Sequence, residues 1–235
     1  MFARNNNSSS LSDAEKKLTE DIYCRQLLNN LIEGYEQLPI TKSSMSFFAI
    51  AMIMNDIQIN HRQNILEFGS GLSTILISRL IKKNNLPCKL YSVEHDKKWF
   101  DLLNSILKKE GTMENTITIF SPLCASEKSK NNLEWYNNKI INTHISENLL
   151  FDLVIIDGPP AHEKSKSLSR YPALPFIKKK LNKSYSIYLD DASRKGEQEV
   201  IKYWKDEFNY SYNLINNRIA LFSDDNFIQH SCLPC

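Results

Sequence analysis

Short apolar runs alternate with helical patterns along most of this chain. The runs fall at 64–68, 90–93, 116–120, 151–156 and 184–189. Patterns with a period near 3.6 fall at 72–82, 96–109 (closed by Gly111), 171–181 and 195–207. Strand followed by helix at this spacing builds βαβ units, and parallel strands need helices on both faces. Two closing runs, 210–215 and 218–222, are separated only by Asn216-Asn217. That spacing is a hairpin, so one edge of the sheet is antiparallel. The expectation is a doubly wound α/β sheet of seven strands, mostly parallel, with an antiparallel C-terminal hairpin.

The segments outside the alternation are also legible. Ser12-Asp-Ala-Glu15 is a capping box, and a helix is expected from there to about residue 37, with Leu18, Ile22, Leu27, Leu28, Leu31 and Ile32 on one face. A second helix is expected over 44–54. Residues 1–11 read as a disordered leader without the apolar region of a secretory signal. Residues 125–147 are polar and irregular and read as an insertion between two strands. With no repeat and no linker, 12–235 reads as a single domain, made of N-terminal helices over 12–60 and a sheet core over 61–225. The 235 residues suit that.

Composition removes several classes. A net charge of +2 is too small to point to nucleic acid. The apolar stretch 47–54 is far short of the roughly 18 residues a membrane span needs. The five cysteines, at 24, 88, 124, 232 and 235, are odd in number and scattered, so no disulfide framework is expected. Cys232-Leu-Pro-Cys235 reads as a frayed tail. A cytoplasmic location follows as an expectation, and a homo-oligomer is left open.

Only six glycines occur, and two fall together in Ile65-Leu-Glu-Phe-Gly-Ser-Gly-Leu-Ser-Thr74. This is a strand, a G-x-G turn and a helix start. Glycine there lets backbone approach a ligand, and the helix N-terminus offers free N–H groups to an anion. A dinucleotide site would want a third glycine where Thr74 stands. Glu67, two residues before Gly69, suits a ligand carrying a cationic amine. Glu94 ends the next strand, where an acid can hold ribose hydroxyls.

Glu67, Gly69, Gly71 and Glu94 resemble the donor-binding motifs of class I S-adenosylmethionine-dependent methyltransferases, which have a Rossmann-like fold. The resemblance covers roughly 39–222. It implies that Ser73 and Thr74 lie near the methionine carboxylate and His95 near the adenine.

Three further acids end later strands: Asp157 after 151–156, and the Asp190-Asp191 pair after 184–189. Carboxylates crowded together need a positive partner, and a hard divalent cation such as Mg²⁺ suits them. In this the chain resembles metal-dependent O-methyltransferases, which implies Asp157, Asp190 and Asp191 as metal ligands. Relatives carry a basic residue three positions after the first of these acids, where this chain has Pro160. His162 and Lys164 are the nearest substitutes for a base, and His162, Asp157 and Asp190 are the candidate catalytic groups. Ser169, Arg170 and Tyr171 either contact the acceptor or pack the next helix.

The implied activity is methyl transfer from S-adenosylmethionine to a hydroxyl of a small-molecule or glycan acceptor. A metal-free transferase on the same fold and a non-catalytic nucleotide-binding module are the alternatives.

Overall fold

The computed structural model describes residues 12–36, 38–224, 227–228 and 230–233. The leader expected at 1–11 and Cys235 lie outside the described residues. In chain order the elements are α1 (Asp13–Leu27), α2 (Asn29–Ile32), α3 (Phe47–Ile59), β1 (Asn64–Phe68), α4 (Leu72–Lys83), β2 (Lys89–Glu94), α5 (Lys97–Glu110) and β3 (Thr116–Phe120). There follow β4 (Leu123–Ala125), β5 (Glu134–Tyr136), α6 (Asn138–His144), β6 (Phe151–Ile156), α7 (Ala173–Ile177), β7 (Leu181–Leu189), α8 (Lys195–Phe208), β8 (Asn213–Ile215) and β9 (Ile219–Ser223).

Seven strands form one sheet in the order β3-β2-β1-β6-β7-β9-β8, and β4 with β5 makes a separate small hairpin. β3, β2, β1, β6 and β7 are parallel, while β9 runs antiparallel to both β7 and β8. The chain builds outward from β1 to β3, then returns to lay β6 on the other side of β1. The crevice beside such a reversal, at the carboxyl ends of the strands, is where open α/β sheets bind ligands.

Burial on both faces explains the apolar strands. All six residues of β6 are buried. Ile65, Leu153 and Ile155 enter one core layer with α3 and α4, while Leu66, Phe68, Val154 and Ile156 enter the other with α7 and α8. α3 is apolar all round and nearly all buried, as a helix wedged between others must be. Its one acid, Asp56, is fully buried and is met by Arg62 Nε at 2.8 Å, the hydroxyls of Ser186 and Tyr188, and Asn60. Removing Arg62 would leave a buried unpaired charge, a loss of about 3–5 kcal/mol.

Several expected elements are placed differently. The first helix stops at Leu28, which leaves helical geometry at φ −88°, ψ 6°. Its expected apolar stripe is split: Leu18, Ile22 and Leu27 are 62%, 51% and 48% exposed, while Leu28 and Leu31 are buried and Ile32 packs against the core. α1 docks instead through Asp21, whose carboxylate accepts the Phe48 N–H, and through buried Cys24 one turn on. The second helix starts at Phe47 because Ser46 caps it, its Oγ accepting the Ala49 N–H. α7 is only a short helix, because the chain is already paired as a strand at Leu181, opposite Phe151. β8 begins at Asn213, and the rings of Tyr210 and Tyr212 pack on Phe222 instead of extending it. The expected irregular insertion holds β5 and α6, the latter capped by Asn137. The tail at Cys232 is not frayed: that residue is 8% exposed, and its Sγ lies 3.4 Å from that of Cys24.

Among the described residues no helix is long and apolar enough to cross a membrane.

Candidate active site

A cleft of about 370 Å³ opens at the carboxyl ends of the parallel strands. Its walls include Gly69, Gly71, Ser73, Glu94 and His95 at one end and Asp157, His162, Arg170 and Asp191 at the other.

The end expected to hold the donor grows from the turn after β1. Gly69 has φ 94°, open to glycine alone without strain, and a Cβ there would lie 2.7 Å from the Gly158 nitrogen. The two loops approach closely here, Gly69 against Gly158, and Gly69 also lines the cleft. Gly71 behaves differently. Its backbone is extended, and a Cβ on it would meet nothing within 4 Å. It opens onto the cleft at the start of α4, whose first turn no side chain caps from Gly71. Free N–H groups at a helix start favour an anionic group.

Glu67 does not reach the cleft. It is fully buried and accepts hydroxyl hydrogen bonds from Ser73, from Thr74 at 2.5 Å and from Ser92 at 2.6 Å. Burial raises its pKa against the pull of those hydroxyls. The expected contact with a ligand amine is thus replaced by a tie between β1, β2 and α4. Thr74 lies with it behind the wall, while Ser73 lines the cleft.

Glu94 does face the cleft, and backbone amides hold it in place. Its Oε1 accepts the N–H groups of His95 and Asp96, both at 2.7 Å, and its Oε2 accepts that of Ser70 at 3.2 Å. A carboxylate has about four acceptor positions, so one remains on Oε2. Trp99 Nε1–H closes the turn by donating to the Ser70 carbonyl at 2.8 Å.

Two buried polar atoms on the wall have no hydrogen-bond partner, the Tyr136 hydroxyl and His95 Nδ1. The latter is 2.9 Å from Glu94 Oε1 but out of alignment for a bond. Burial pushes the Tyr136 hydroxyl well above its ordinary range, so it is a neutral donor. Tyr136, Trp99 and Met45 are cleft residues that sequence reasoning missed. Tyr136 sits in the insertion, and a three-residue strand carries little periodic signal.

At the other end, Asp157, Asp190 and Asp191 do come together, each offering an oxygen within 4.8 Å of the others. Asp157 and Asp191 line the cleft, and Asp190 lies behind them. Burial first and Asp190 second push the Asp157 carboxyl well up, against the pull of Arg170. Asp190 is pushed to about 6 by burial and by Asp191. His162 stands at the mouth with its side chain 65% exposed, and Lys164 is absent from the wall.

The positive partner expected among these acids is already there. Arg170 Nη2 is 3.1 Å from Asp157 Oδ1, and Arg170 Nη1 is 3.3 Å from Asp191 Oδ2. Arg194 Nη1 is 2.6 Å from the same Asp191 oxygen. A magnesium ion needs close to six oxygens in tight octahedral array, and would sit beside a fixed guanidinium. These residues do not fit the metal that the resemblance implied.

No protein-family model matches the chain, and no curated protein matches it in sequence. Solved structures do match its fold. One is the O-methyltransferase TomG from Streptomyces achromogenes, involved in tomaymycin synthesis and solved with S-adenosylmethionine. It shares 12% identity and a TM-score of 0.60, over 91% of this chain and 97% of that one. Another is a methyltransferase from Podospora anserina bound to S-adenosylhomocysteine, at 12% identity and a TM-score of 0.58, over 94% and 97%. A third is the O-methyltransferase from Bacillus cereus in complex with S-adenosylhomocysteine, at 14% and 0.53, over 93% and 94%. The chain has the Rossmann-like fold of class I methyltransferases, with the seven-stranded sheet and C-terminal hairpin read from its sequence.

Proposed function

We propose that this chain transfers the methyl group of S-adenosylmethionine to an oxygen of a small acceptor, without a metal. One observation carries the reading: Gly71 and the uncapped start of α4 open onto the same cleft as Asp157. The free N–H groups suit the donor's carboxylate, and the one open acceptor on Glu94 suits a single ribose hydroxyl. The Tyr136 hydroxyl and His95 Nδ1, both without a hydrogen-bond partner, lie on the same wall and are open to a ligand. The fold's neighbours with bound S-adenosylmethionine or S-adenosylhomocysteine support the same donor.

Sulfur leaves readily from a sulfonium, so the enzyme's task is alignment and removal of the acceptor's proton. Asp157 is the base this geometry favours. It lines the cleft, receives the Arg170 hydrogen bond on Oδ1, and burial makes it a stronger base than an ordinary carboxylate. The magnesium reading has the clustered acids in its favour, and the two arginines among them against it.

The test is calorimetry with S-adenosylhomocysteine, followed by labelled methyl transfer to a panel of hydroxylated acceptors. Micromolar donor binding and transfer to oxygen are expected. No binding would leave the chain a fold without this function.

A further inference from the structure

Arg170 is held in a way that a substrate-binding arginine is not. A guanidinium has five N–H donors. Around this one stand five oxygens: the carbonyls of Asp157, of Pro159 at 3.4 Å and of Asp190 at 3.1 Å, and the carboxylates of Asp157 and Asp191. The side chain is 3% exposed. Its partners lie on the loops after β6 and after β7, so one cation stitches both strand ends together. Four hydrogen bonds engage its N–H groups, and Asp191 meets Nη1 as an ion pair.

The corner also holds a fourth acid. Glu197, in the first turn of α8, is fully buried, and neither of its carboxylate oxygens has a hydrogen bond. Its Oε1 lies 3.6 Å from Arg170 Nη1 and 4.0 Å from Arg194 Nη1. The two arginines alone answer it.

We propose that the Arg170 guanidinium is a built-in cation standing where a divalent metal would be held, and that it keeps this corner metal-free. A divalent ion here would take oxygens already engaged and lie against a fixed positive charge, which disfavours it at short range in a buried site. Without Arg170, three aspartates and Glu197 would face Arg194 alone, and the corner would attract a cation. Arg170 is therefore a positioning residue: it holds Asp157 in orientation at the cleft. That role rests on the methyltransferase reading, whereas metal exclusion is measured apart from it.

The experiment titrates Mn²⁺ into the native protein and into Arg170→Met, by calorimetry and by the loss of the free-ion electron paramagnetic resonance signal. Binding of S-adenosylhomocysteine is measured in parallel, with and without EDTA. The native protein should show no Mn²⁺ site tighter than millimolar, and donor binding should ignore EDTA. Arg170→Met should gain one site at least tenfold tighter. One micromolar Mn²⁺ equivalent in the native protein, lost in Asp157→Asn, would overturn the proposal, and so would a folded Arg170→Met that stays blind to Mn²⁺. If Arg170→Met does not fold, the native titration with its Asp157→Asn control decides. If S-adenosylhomocysteine fails to bind at all, the functional reading fails while the Mn²⁺ result stands on its own.

Discussion

The two ends of the cleft hold acids in opposite ways. At the end proposed for the donor, hydroxyls surround Glu67 behind the wall and amide N–H groups surround Glu94 on it, all of them neutral donors. At the acceptor end, Asp157, Asp191 and Glu197 are answered by full charges on Arg170 and Arg194. Neutral donors fix a carboxylate without cancelling its charge, so Glu94 can still accept from a ligand. Ion pairs offset the charge at the other end. Changes at the acceptor end should therefore alter rate and pH response, and changes at the donor end should alter affinity.

The largest effect expected is on the chemical step. Asp157→Asn keeps the carbonyl facing Arg170 but removes the base, and should slow single-turnover transfer 10²–10⁴-fold. Affinity for S-adenosylhomocysteine should barely change. A rate within a few-fold of the native would shift the base to His162, for which His162→Gln is the matching variant.

Next comes the buried acid of α8. Burial pushes Glu197 up to about 7 from an ordinary 4.5. The folded chain then keeps a proton that the unfolded chain has already released. Stability should fall as pH rises from about 4.5 to about 7 and level off above, by up to about 3 kcal/mol. Glu197→Gln should flatten that fall, read by chemical denaturation at pH 5 and pH 8. Parallel profiles for the two proteins would mean that Glu197 ionises freely in the fold.

At the donor end, Glu94→Ala should weaken binding of S-adenosylhomocysteine by about 1–3 kcal/mol, the range for leaving polar partners unmatched. Unchanged affinity by calorimetry would remove Glu94 from the donor site. The smallest effect belongs to Ser92→Ala. It removes one of three hydroxyls on Glu67, and should cost about 1 kcal/mol of stability with donor affinity nearly intact. A large loss of affinity instead would mean that Glu67 reaches the ligand through the cleft wall.

What was legible in the sequence is what depends on neighbours along the chain. Apolar runs such as Phe151–Ile156, buried on both faces, mark the strands, and the runs at 64–68, 90–93, 151–156 and 184–189 each end where an acid or glycine begins. Hence Gly71, Glu94, Asp157 and Asp191 stand on the wall where motif reading placed them. What was not legible depends on the approach of distant segments. Arg170 lies thirteen positions beyond Asp157, and nothing local shows that the first turns back onto the second. Cys24 meets Cys232 across 208 positions. Leu18 and Ile22 have helical spacing but face solvent, because α1 docks through Asp21 and Cys24. Periodicity tells that a face is apolar, not which side the neighbouring helix will take.

The contact between Gly69 and Gly158 bears on the order of events in turnover. The glycine turn after β1 and the loop after β6 share a backbone seam with no side chain between them to absorb a shift. A ligand that stills one loop stills the other, and the second ligand then meets a loop whose ordering is complete. We expect heterotropic linkage: an acceptor analogue should tighten S-adenosylhomocysteine, and by reciprocity be tightened by the same factor. Calorimetric titrations in both orders would read that factor twice, and values near one would show that the seam transmits nothing.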